Sequence, residues 1–539
     1  MKKKLLVLLL MVVPMLTFAQ EKGLDQKIDA AFKPVSDFFS NLIFFTIPIA
    51  GKDVPFVLLL LVGSALFFTI YFKFPNIFHF KTAINVVRGK YDELDQHEAG
   101  DPALAIGGDI KGTIKDESTE GEVTHFQALA TAVSGTVGNG NIAGVALAIA
   151  LGGPGATFWM VVCGFLGMST KFVECTLGVQ YRDVGEDGTV YGGPMYYISK
   201  GLKERGFKTF GKIVAIIFAI FCIGGSFGGG NAAQSNQATV VLKELMGLES
   251  SGAGFWIGVV MAILVGVIII GGIKRIASVT EKVVPFMAVL YLLACLYILG
   301  ANFSLIDDAF SLIFREAFNP TAIGVGGVIG VLLVGFKRAA FSNEAGAGSA
   351  SIAHSAVKTK YSASEGLVAL LEPFIDTVVI CTMTALVIII FNFGGDASGA
   401  TIFQYGGDGA GAVLIDGVSY EGAGITSKAF AEYIPYSNVF LTVAVVLFAV
   451  STMISWSYYG LQSWKFLFGR GKAADMAYKL LFLLFVIIGA SASMNSIWAF
   501  SDAMIFAMVF PNMVGLYFLF PVVKKQLKRY TDAIKESHA

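Results

Sequence analysis

Long apolar segments, separated by short polar stretches, follow one another along most of the chain. Most of them approach or exceed the ~20 residues that an α-helix needs to cross a bilayer. The pattern predicts eleven transmembrane helices, at residues 54–72, 126–151, 155–178, 212–240, 254–273, 282–300, 321–353, 366–392, 437–464, 478–496 and 498–522. The polar stretch between the first two is predicted to be a cytoplasmic loop or small insert at 73–125.

Two of the predicted spans are interrupted by small and polar residues. Residues 134–141 read SGTVGNGN and residues 342–349 read SNEAGAGS, with serine and glycine at matching positions. Glycine weakens a helix by about 1 kcal/mol relative to alanine, and asparagine side chains compete for backbone hydrogen bonds. Non-helical backbone at membrane depth is tolerated only where protein or a water-filled cavity covers it. Both segments are therefore predicted to be broken helices that line a binding site.

The position of the two interruptions predicts the topology. Without the first span, ten spans remain, and they divide into two sets of five that each begin with a broken helix. An odd number of spans per set inverts the second set relative to the first. The predicted fold class is therefore an all-α polytopic membrane protein with one peripheral helix (54–72) plus a 5+5 inverted repeat. The repeats are assigned to residues 126–300 and 301–522.

The two ends of the chain predict its orientation. Three lysines precede an apolar run that ends at Ala19, which is typical of a signal peptide at 1–19, with an uncleaved anchor as the alternative. Residues 20–53 then form a periplasmic amphipathic segment, and 523–539 a cytoplasmic tail. Lysine and arginine concentrate in alternate gaps, as they do in cytoplasmic loops. This places the N-terminus outside and the C-terminus inside a bacterial inner membrane.

Composition supports the membrane class. Hydrophobic residues make up 55% of the chain and charged residues 14%, with a mean hydropathy of +0.70. Soluble domains carry about 25% charged residues. The lipid bilayer is thus an expected partner. The formal net charge is zero, so no basic face for nucleic acid is predicted.

Five motifs between residues 54 and 522 are distinctive. They are THFQAL at 124–129, VGNGNIAGVA at 137–146, GGPGATFWM at 152–160, FSNEAG at 341–346 and WSYYG at 456–460. Together they resemble the alanine or glycine:cation symporter family. The resemblance implies sodium-coupled uptake of small neutral amino acids, with Na⁺ as the co-transported ion. Asn139, where the family usually has threonine, and a longer insert near 90–120 depart from the family pattern and leave the exact amino acid open.

The chemistry of the two breaks predicts candidate ligands. Free N–H groups where the first helix restarts would face a carboxylate, and free carbonyls at Ser134 to Val137 suit Na⁺. The resemblance adds the hydroxyls of Ser451 and Thr452 to the ion site, although these can also bond back to their own helix. The predicted substrate-binding residues are Gly138, Asn139, Gly140, Asn141, Phe341, Asn343 and Trp456, and the family resemblance implies the same role for Gln234. Close glycine packing, interhelical amide bonds and ordinary core aromatics are the alternatives for these residues.

Intramembrane charges are functional candidates by default. Glu344 is predicted to pair with Lys337 or Arg338, with gating of the site as the alternative. Lys171 and Glu174 are predicted to form a local pair at a cytoplasmic helix end. Proton coupling is the alternative mechanism, with Glu344 as the only plausible titrating group.

An enzyme is the alternative of another class. Residues 224–228 match the G-x-S-x-G motif of serine hydrolases, but that motif acts at a strand-to-helix turn with a histidine partner, and here it lies within a predicted span. The sequence therefore favours a transporter over an intramembrane hydrolase. Two broken helices also suit alternating access better than an open channel.

Overall fold

The computed structural model describes residues 24–49, 51–95, 121–185, 188–248, 250, 252–319, 327–395, 401–406, 409 and 411–537. The predicted signal peptide and residues 96–120 of the insert lie outside these ranges. The chain before the first break forms helices α1 (Leu24–Ile43), α2 (Phe56–Tyr71), α3 (Pro75–Phe78), α4 (Phe80–Val87) and α5 (Asp92–Asp95), and strands β1 (Thr46–Ile49) and β2 (Lys52–Pro55).

The first set of five spans begins with a bent pair of helices. It comprises α6 (His125–Thr136), α7 (Val145–Gly152), α8 (Gly155–Gln180), α9 (Pro194–Glu204), α10 (Lys208–Phe227), α11 (Ala233–Met246), α12 (Ala253–Ile269) and α13 (Gly272–Ala301), with hairpin strands β3 (Asp183–Val184) and β4 (Val190–Tyr191). A capping box starts α6, where the Thr124 hydroxyl accepts a hydrogen bond from Gln127 N at 3.2 Å. The chain bends by 51° where α6 gives way to the segment leading into α7.

The second set also begins with a broken helix. It comprises α14 (Ile306–Phe318), α15 (Gly327–Asn343), α16 (Ala350–His354), α17 (Ser362–Val368), α18 (Leu371–Pro373), α19 (Thr382–Asn392), β5 (Val413–Ile415), β6 (Val418–Tyr420), α20 (Ala423–Tyr433), α21 (Ser437–Phe468), α22 (Lys472–Ser491) and α23 (Met494–Glu536). Between α15 and α16 the backbone turns left-handed, with φ of +55° at Glu344, +94° at Gly346 and +86° at Gly348. Glycine adopts this conformation without steric cost, which explains why the helix stops here.

Two further spans carry wider turns rather than breaks. Gly228–Ala232 joins α10 to α11 and Phe374–Cys381 joins α18 to α19 as π-helical segments. Such segments insert an extra residue into a helix and often occur at functional sites. The hydrophobic pattern predicts continuous helices at both places, because local propensity does not reveal a π turn.

The predicted fold class is confirmed. Among the described residues, seven helices are long and apolar enough to cross a membrane, and the bent pair α6 and α7 makes an eighth. The shorter apolar helices α2 and α12 and the broken pair α15 and α16 complete the eleven predicted spans. α2 is peripheral, and Thr69 in α2 bonds to Ser169 in α8 through their hydroxyls at 2.9 Å.

The two faces of the molecule are distinct. α1 packs across the start of α23, where Phe32 meets Phe500 at 5.1 Å between ring centroids and the Ser36 hydroxyl donates to Ser496 O at 2.7 Å. We call this side the α1 face. On the opposite side, the β3 face, the hairpin β3–β4 is fastened by Arg470, which pairs with Asp183 at 2.6 Å.

Candidate functional site

The first break is held open by side chains rather than by helix bonds. The amide of Gly138 donates to Asn141 Oδ1 at 2.9 Å, and the amide of Asn139 donates to Gln234 Oε1 at 3.0 Å. Asn139 Nδ2 also donates to Gln234 O at 3.2 Å. Gln234 lies just after the π segment of α10–α11, so that segment and the first break position each other. The sequence-predicted residues Gly138, Asn139, Asn141 and Gln234 are thus brought together.

Gly138 is enclosed on two sides. A side-chain carbon at this position would overlap Thr452 Oγ1 and would lie 3.0 Å from Gln234 Oε1. Thr452 Oγ1 donates to Ser134 O at 3.0 Å, and Ser134 Oγ donates to Ser451 O at 2.8 Å. The structure therefore places α21 directly against the end of α6.

The two serine and threonine hydroxyls of α21 differ in their contacts. Ser451 Oγ donates to Phe448 O on its own helix at 3.0 Å, as the alternative interpretation proposed, whereas Thr452 reaches across to α6. The predicted ion-site residues Ser134, Val137, Ser451 and Thr452 are all at most 1% exposed.

The second break meets the first. A side-chain carbon at Gly140 would lie 3.4 Å from Ser342 Cα and 3.6 Å from the Phe341 ring. Small residues at such positions let two backbones approach closely. Residues 138–141 and 341–344 therefore form one continuous polar centre, which the matching sequence patterns predicted.

Asp376 is the central residue that the sequence analysis did not identify. Asn141 Nδ2 donates to Asp376 Oδ1 at 2.6 Å, Ser342 Oγ lies 3.0 Å from Oδ2, and Thr377 Oγ1 donates to Oδ2 at 2.6 Å. The carboxylate is 0% exposed, and no lysine, arginine or histidine of the described residues lies within 4.0 Å of it. One aspartate in the apolar stretch 374–392 was the signal that could have revealed it.

Asn343 and Trp456 turn toward protein partners. Asn343 Nδ2 donates to Thr377 Oγ1 at 2.9 Å and its Oδ1 accepts from Ala345 N at 3.0 Å, so Asn343 supports the second break. Trp456 packs its ring against Gly230 and donates Nε1–H to Glu344 Oε1 at 2.8 Å.

The predicted pairing of Glu344 is wrong. Its second oxygen accepts from Ser349 Oγ at 2.5 Å, whereas Lys337 and Arg338 both pair with Asp502. The left-handed backbone at Glu344 explains the difference, because it directs the side chain away from α15.

The predicted pairing of Lys171 with Glu174 is also wrong. Lys171 is fully buried and contacts Glu372 at 2.9 Å, while Glu174 accepts from Asn512 at 2.7 Å. His354 lies beside the same Glu372 at 3.6 Å and bonds to Glu365 at 2.5 Å. His125 contacts Glu365 as well, so a buried network connects α6, α8, α16 and α17 below the polar centre.

The site is closed to solvent in this conformation. Asn139, Asn141, Gln234, Phe341, Asn343 and Trp456 are each at most 5% exposed. Phe341 stacks on Trp498 with 4.9 Å between ring centroids. Among the described residues, the closed polar centre combines broken helices, several amide and hydroxyl groups and two carboxylates, Asp376 and Glu344, that form no ion pair. Such a centre suits a small polar ligand with a cation.

Comparison with known proteins identifies the family. The family model described as the sodium:alanine symporter family matches residues 42–539, almost the whole chain. The chain belongs to the sodium:alanine symporter family. It is 38% identical to the sodium/alanine symporter AgcS of Methanococcus maripaludis, over 89% of this chain and 95% of that protein. It is also 31% identical to the probable sodium/glutamine symporter GlnT of Bacillus subtilis, over 77% and 80% of the two chains.

The same comparison extends to solved structures. The crystal structure of MhsT in complex with L-phenylalanine is 16% identical in sequence and superposes with a TM-score of 0.48, covering 74% of this chain and 99% of that one. Membership of the sodium:alanine symporter family makes the protein a multi-pass, sodium-coupled amino acid symporter, and not an enzyme. The resemblance inferred from the five sequence motifs is thereby confirmed.

Proposed function

We propose that this symporter carries small neutral amino acids such as alanine or glycine into the cell together with Na⁺. The main support for the proposal is that both broken helices contact the buried Asp376. The first contributes Asn141 and the second contributes Ser342. An uncompensated carboxylate in the interior is costly, and a bound cation would neutralise it. Because both breaks contribute to this site, occupation by a cation would fix the geometry of the adjacent amino acid site.

Two positions are proposed for cations. One comprises Asp376 with Asn141 and Ser342. The other is the predicted site of the Ser134 and Val137 carbonyls with the Ser451 and Thr452 hydroxyls, supported by the 3.0 Å contact between Thr452 and Ser134. Oxygen ligands of this kind suit a hard cation. One net positive charge crossing 100 mV gains about 2.3 kcal/mol, which corresponds to roughly 40-fold accumulation of solute.

The amino acid is proposed to bind between the two breaks. Its carboxylate would face the start of the helical segment at Gly140, at the positive end of the helix dipole. Its ammonium would face Asn139 Oδ1, a buried oxygen that accepts no hydrogen bond from the described residues. Phe341 and Trp456 would limit the side chain to a small one, because both rings already pack against glycines 229 and 230.

The α1 face is proposed to be external and the β3 face cytoplasmic. This follows the predicted distribution of lysine and arginine and an N-terminus exported with its signal peptide. During transport, the site would then open in turn to each side of the membrane. It would open to the outside at the contacts of α1 with α23, and to the cytoplasm at the β3–β4 hairpin. The repeats 126–300 and 301–522 are the proposed moving units.

Uptake of labelled alanine and glycine into proteoliposomes tests the proposal. We expect saturable uptake with Na⁺ outside, which is lost when K⁺ or choline replaces Na⁺. Unlabelled alanine should compete at lower concentrations than glutamine or phenylalanine. Uptake that follows a pH gradient and ignores Na⁺ would instead establish the alternative of proton coupling.

Gly138→Ala is expected to lower the affinity for sodium and alanine by about tenfold or more. The new methyl group overlaps Thr452 Oγ1 and crowds Gln234, and overpacking of a buried site costs roughly 1–3 kcal/mol. Gly300→Ala is the matched control, because no atom lies within 4 Å of a side-chain carbon there. If both variants change the affinity for alanine in Na⁺ by the same factor, Gly138 does not belong to the binding site.

A further inference from the structure

A second cluster of buried polar groups lies beside the aromatic stack of Phe341 and Trp498. Arg338 is three residues before Phe341 on α15, and its guanidinium carbon lies 5.4 Å from the Phe341 ring and 5.2 Å from the Trp498 ring. Arg338 pairs with Asp502 on α23, and Lys337 approaches the same Asp502 Oδ2 at 2.9 Å. Arg338, Trp498 and Asp502 are each at most 5% exposed.

Each of these three side chains has one unused hydrogen-bonding atom. Within the described part of the chain, Arg338 Nη1, Trp498 Nε1 and Asp502 Oδ1 are buried and have no hydrogen-bond partner. Buried polar groups in native proteins are nearly always hydrogen-bonded, so each exception requires an explanation. Because the three side chains adjoin one another, a single small molecule could satisfy all three atoms.

The type of each unused atom specifies the chemistry of that ligand. Arg338 Nη1 and Trp498 Nε1 are donors beside each other, and a carboxylate accepts from such a pair. Asp502 Oδ1 is an acceptor, and an ammonium group donates to it. Chloride would leave the acceptor unsatisfied and a simple cation would leave both donors unsatisfied. A bridging water or a free α-amino acid can serve donors and acceptor together, and only the amino acid also offers opposite charges to Arg338 and Asp502.

A cavity on the α1 face reaches Met494, one helical turn before Trp498 on α23. This cavity of about 520 Å³ is lined by residues of α1, α11 and the start of α23, including Asp29, Lys33, Lys243 and Met494. Trp498 lies one turn after Met494 on the same side of α23, since residues four apart share a helix face. The cavity carries charges of both signs, which suits the passage of a zwitterion.

We propose that Arg338, Trp498 and Asp502 form a second amino acid site, which receives the α-carboxylate and α-ammonium groups of the substrate before it passes the Phe341–Trp498 stack. The site would hold one amino acid while another occupies the centre between the two broken helices. Because it contacts only groups common to all α-amino acids, it would not select among side chains. The inference rests on the proposed function as an amino acid symporter.

Equilibrium dialysis of the purified full-length protein with labelled alanine in saturating Na⁺ tests the proposal. We expect two alanines per chain at saturation. Trp498→Phe removes the indole donor and keeps a ring, and Arg338→Lys keeps the charge and removes Nη1. Both variants should weaken the second site at least about tenfold, equal to about 1.4 kcal/mol and on the scale of one hydrogen bond to a charged group, with the affinity of the first site unchanged.

Trp256→Phe is the matched control, because Trp256 is 68% exposed on α12, and it should still bind two alanines. A parent protein that binds one alanine, or a Trp498→Phe protein that still binds two with parental affinities, overturns the second site. A Trp498→Phe protein that folds but binds none would assign Trp498 to the central site and also overturn the proposal. A parent protein that binds no amino acid in Na⁺ would instead refute the proposed function itself.

Discussion

Asparagine in place of Asp376 is expected to raise the sodium concentration for half-maximal alanine uptake by about a hundredfold or more. The substitution keeps the shape of the side chain and removes its charge. Asp376 is 0% exposed and is contacted by Asn141, Ser342 and Thr377, which are all neutral. Removing one partner of a buried ion pair costs about 3–5 kcal/mol, and each 1.4 kcal/mol is a factor of ten in affinity.

The measurement is initial uptake of labelled alanine into proteoliposomes over a range of Na⁺ concentrations. Asp308→Asn, at an exposed aspartate of α14, is the matched control and should leave the sodium dependence unchanged. Circular dichroism and thermal unfolding establish that both variants are folded. If Asp376→Asn retains the parental dependence on Na⁺, Asp376 does not bind the coupled ion.

Methionine in place of Lys171 is expected to destabilise the protein by about 3–5 kcal/mol, the largest stability effect that we predict. Lys171 and Glu372 are both fully buried and lie 2.9 Å apart. Without the lysine, the charge of Glu372 loses its closest partner, and among the described residues His354, at 3.6 Å, is the cationic partner that remains. Methionine fills a similar volume, so the cost arises from the unpaired charge rather than from a cavity.

A double-mutant cycle separates the two causes. In detergent, Lys171→Met should lower the unfolding temperature strongly. The double variant Lys171→Met with Glu372→Gln should regain part of that stability, since it has no unpaired carboxylate at 372. Lys528→Met, at an exposed pair with Asp532, is the control and should change the unfolding temperature little. Strict additivity of the two single effects would show that the pair is not coupled.

The buried network around Glu372 also bears on gating. His125 begins α6, and it contacts Glu365, which also bonds to His354 at the end of α16. The first part of one broken helix is thus tied to the second part of the other on the β3 face. In the proposed alternating cycle, opening toward that face would require these contacts to break, since His125 of α6 and His354 of α16 hold the same carboxylate.

Some features of the site depend on local chemistry, and these were predictable. Glycines and asparagines at 138–141 weaken a helix locally, and the matching spacing at 342–349 indicated the second break. The similar run at 228–231 forms a π-helical turn instead of a break, so composition alone did not distinguish the two outcomes. The structure shows that Gly138 packs closely against Thr452 and Gln234. The substrate and ion roles of the predicted residues remain predictions.

Other features depend on which side chains meet across the fold. Asp376 lies 235 positions from Asn141 in the sequence, and Glu372 lies 201 positions from Lys171. Charge pairing was assigned to sequence neighbours, Glu344 with Lys337 or Arg338 and Lys171 with Glu174, and both assignments were wrong. In a buried interior, a charged side chain pairs with whichever opposite charge the helix packing brings close to it. That partner is frequently on another helix.

The sequence by itself determined the membrane class, the number of spans, the two breaks and the family resemblance, because each depends on composition or on short periodic patterns. The tertiary structure alone decided that Asp376 joins the two breaks, that Trp456 binds Glu344 and that Arg338 binds Asp502. The physical reason is that the bilayer requires a long apolar run for every span, which is visible in the sequence. The few polar contacts between spans depend instead on how the helices pack.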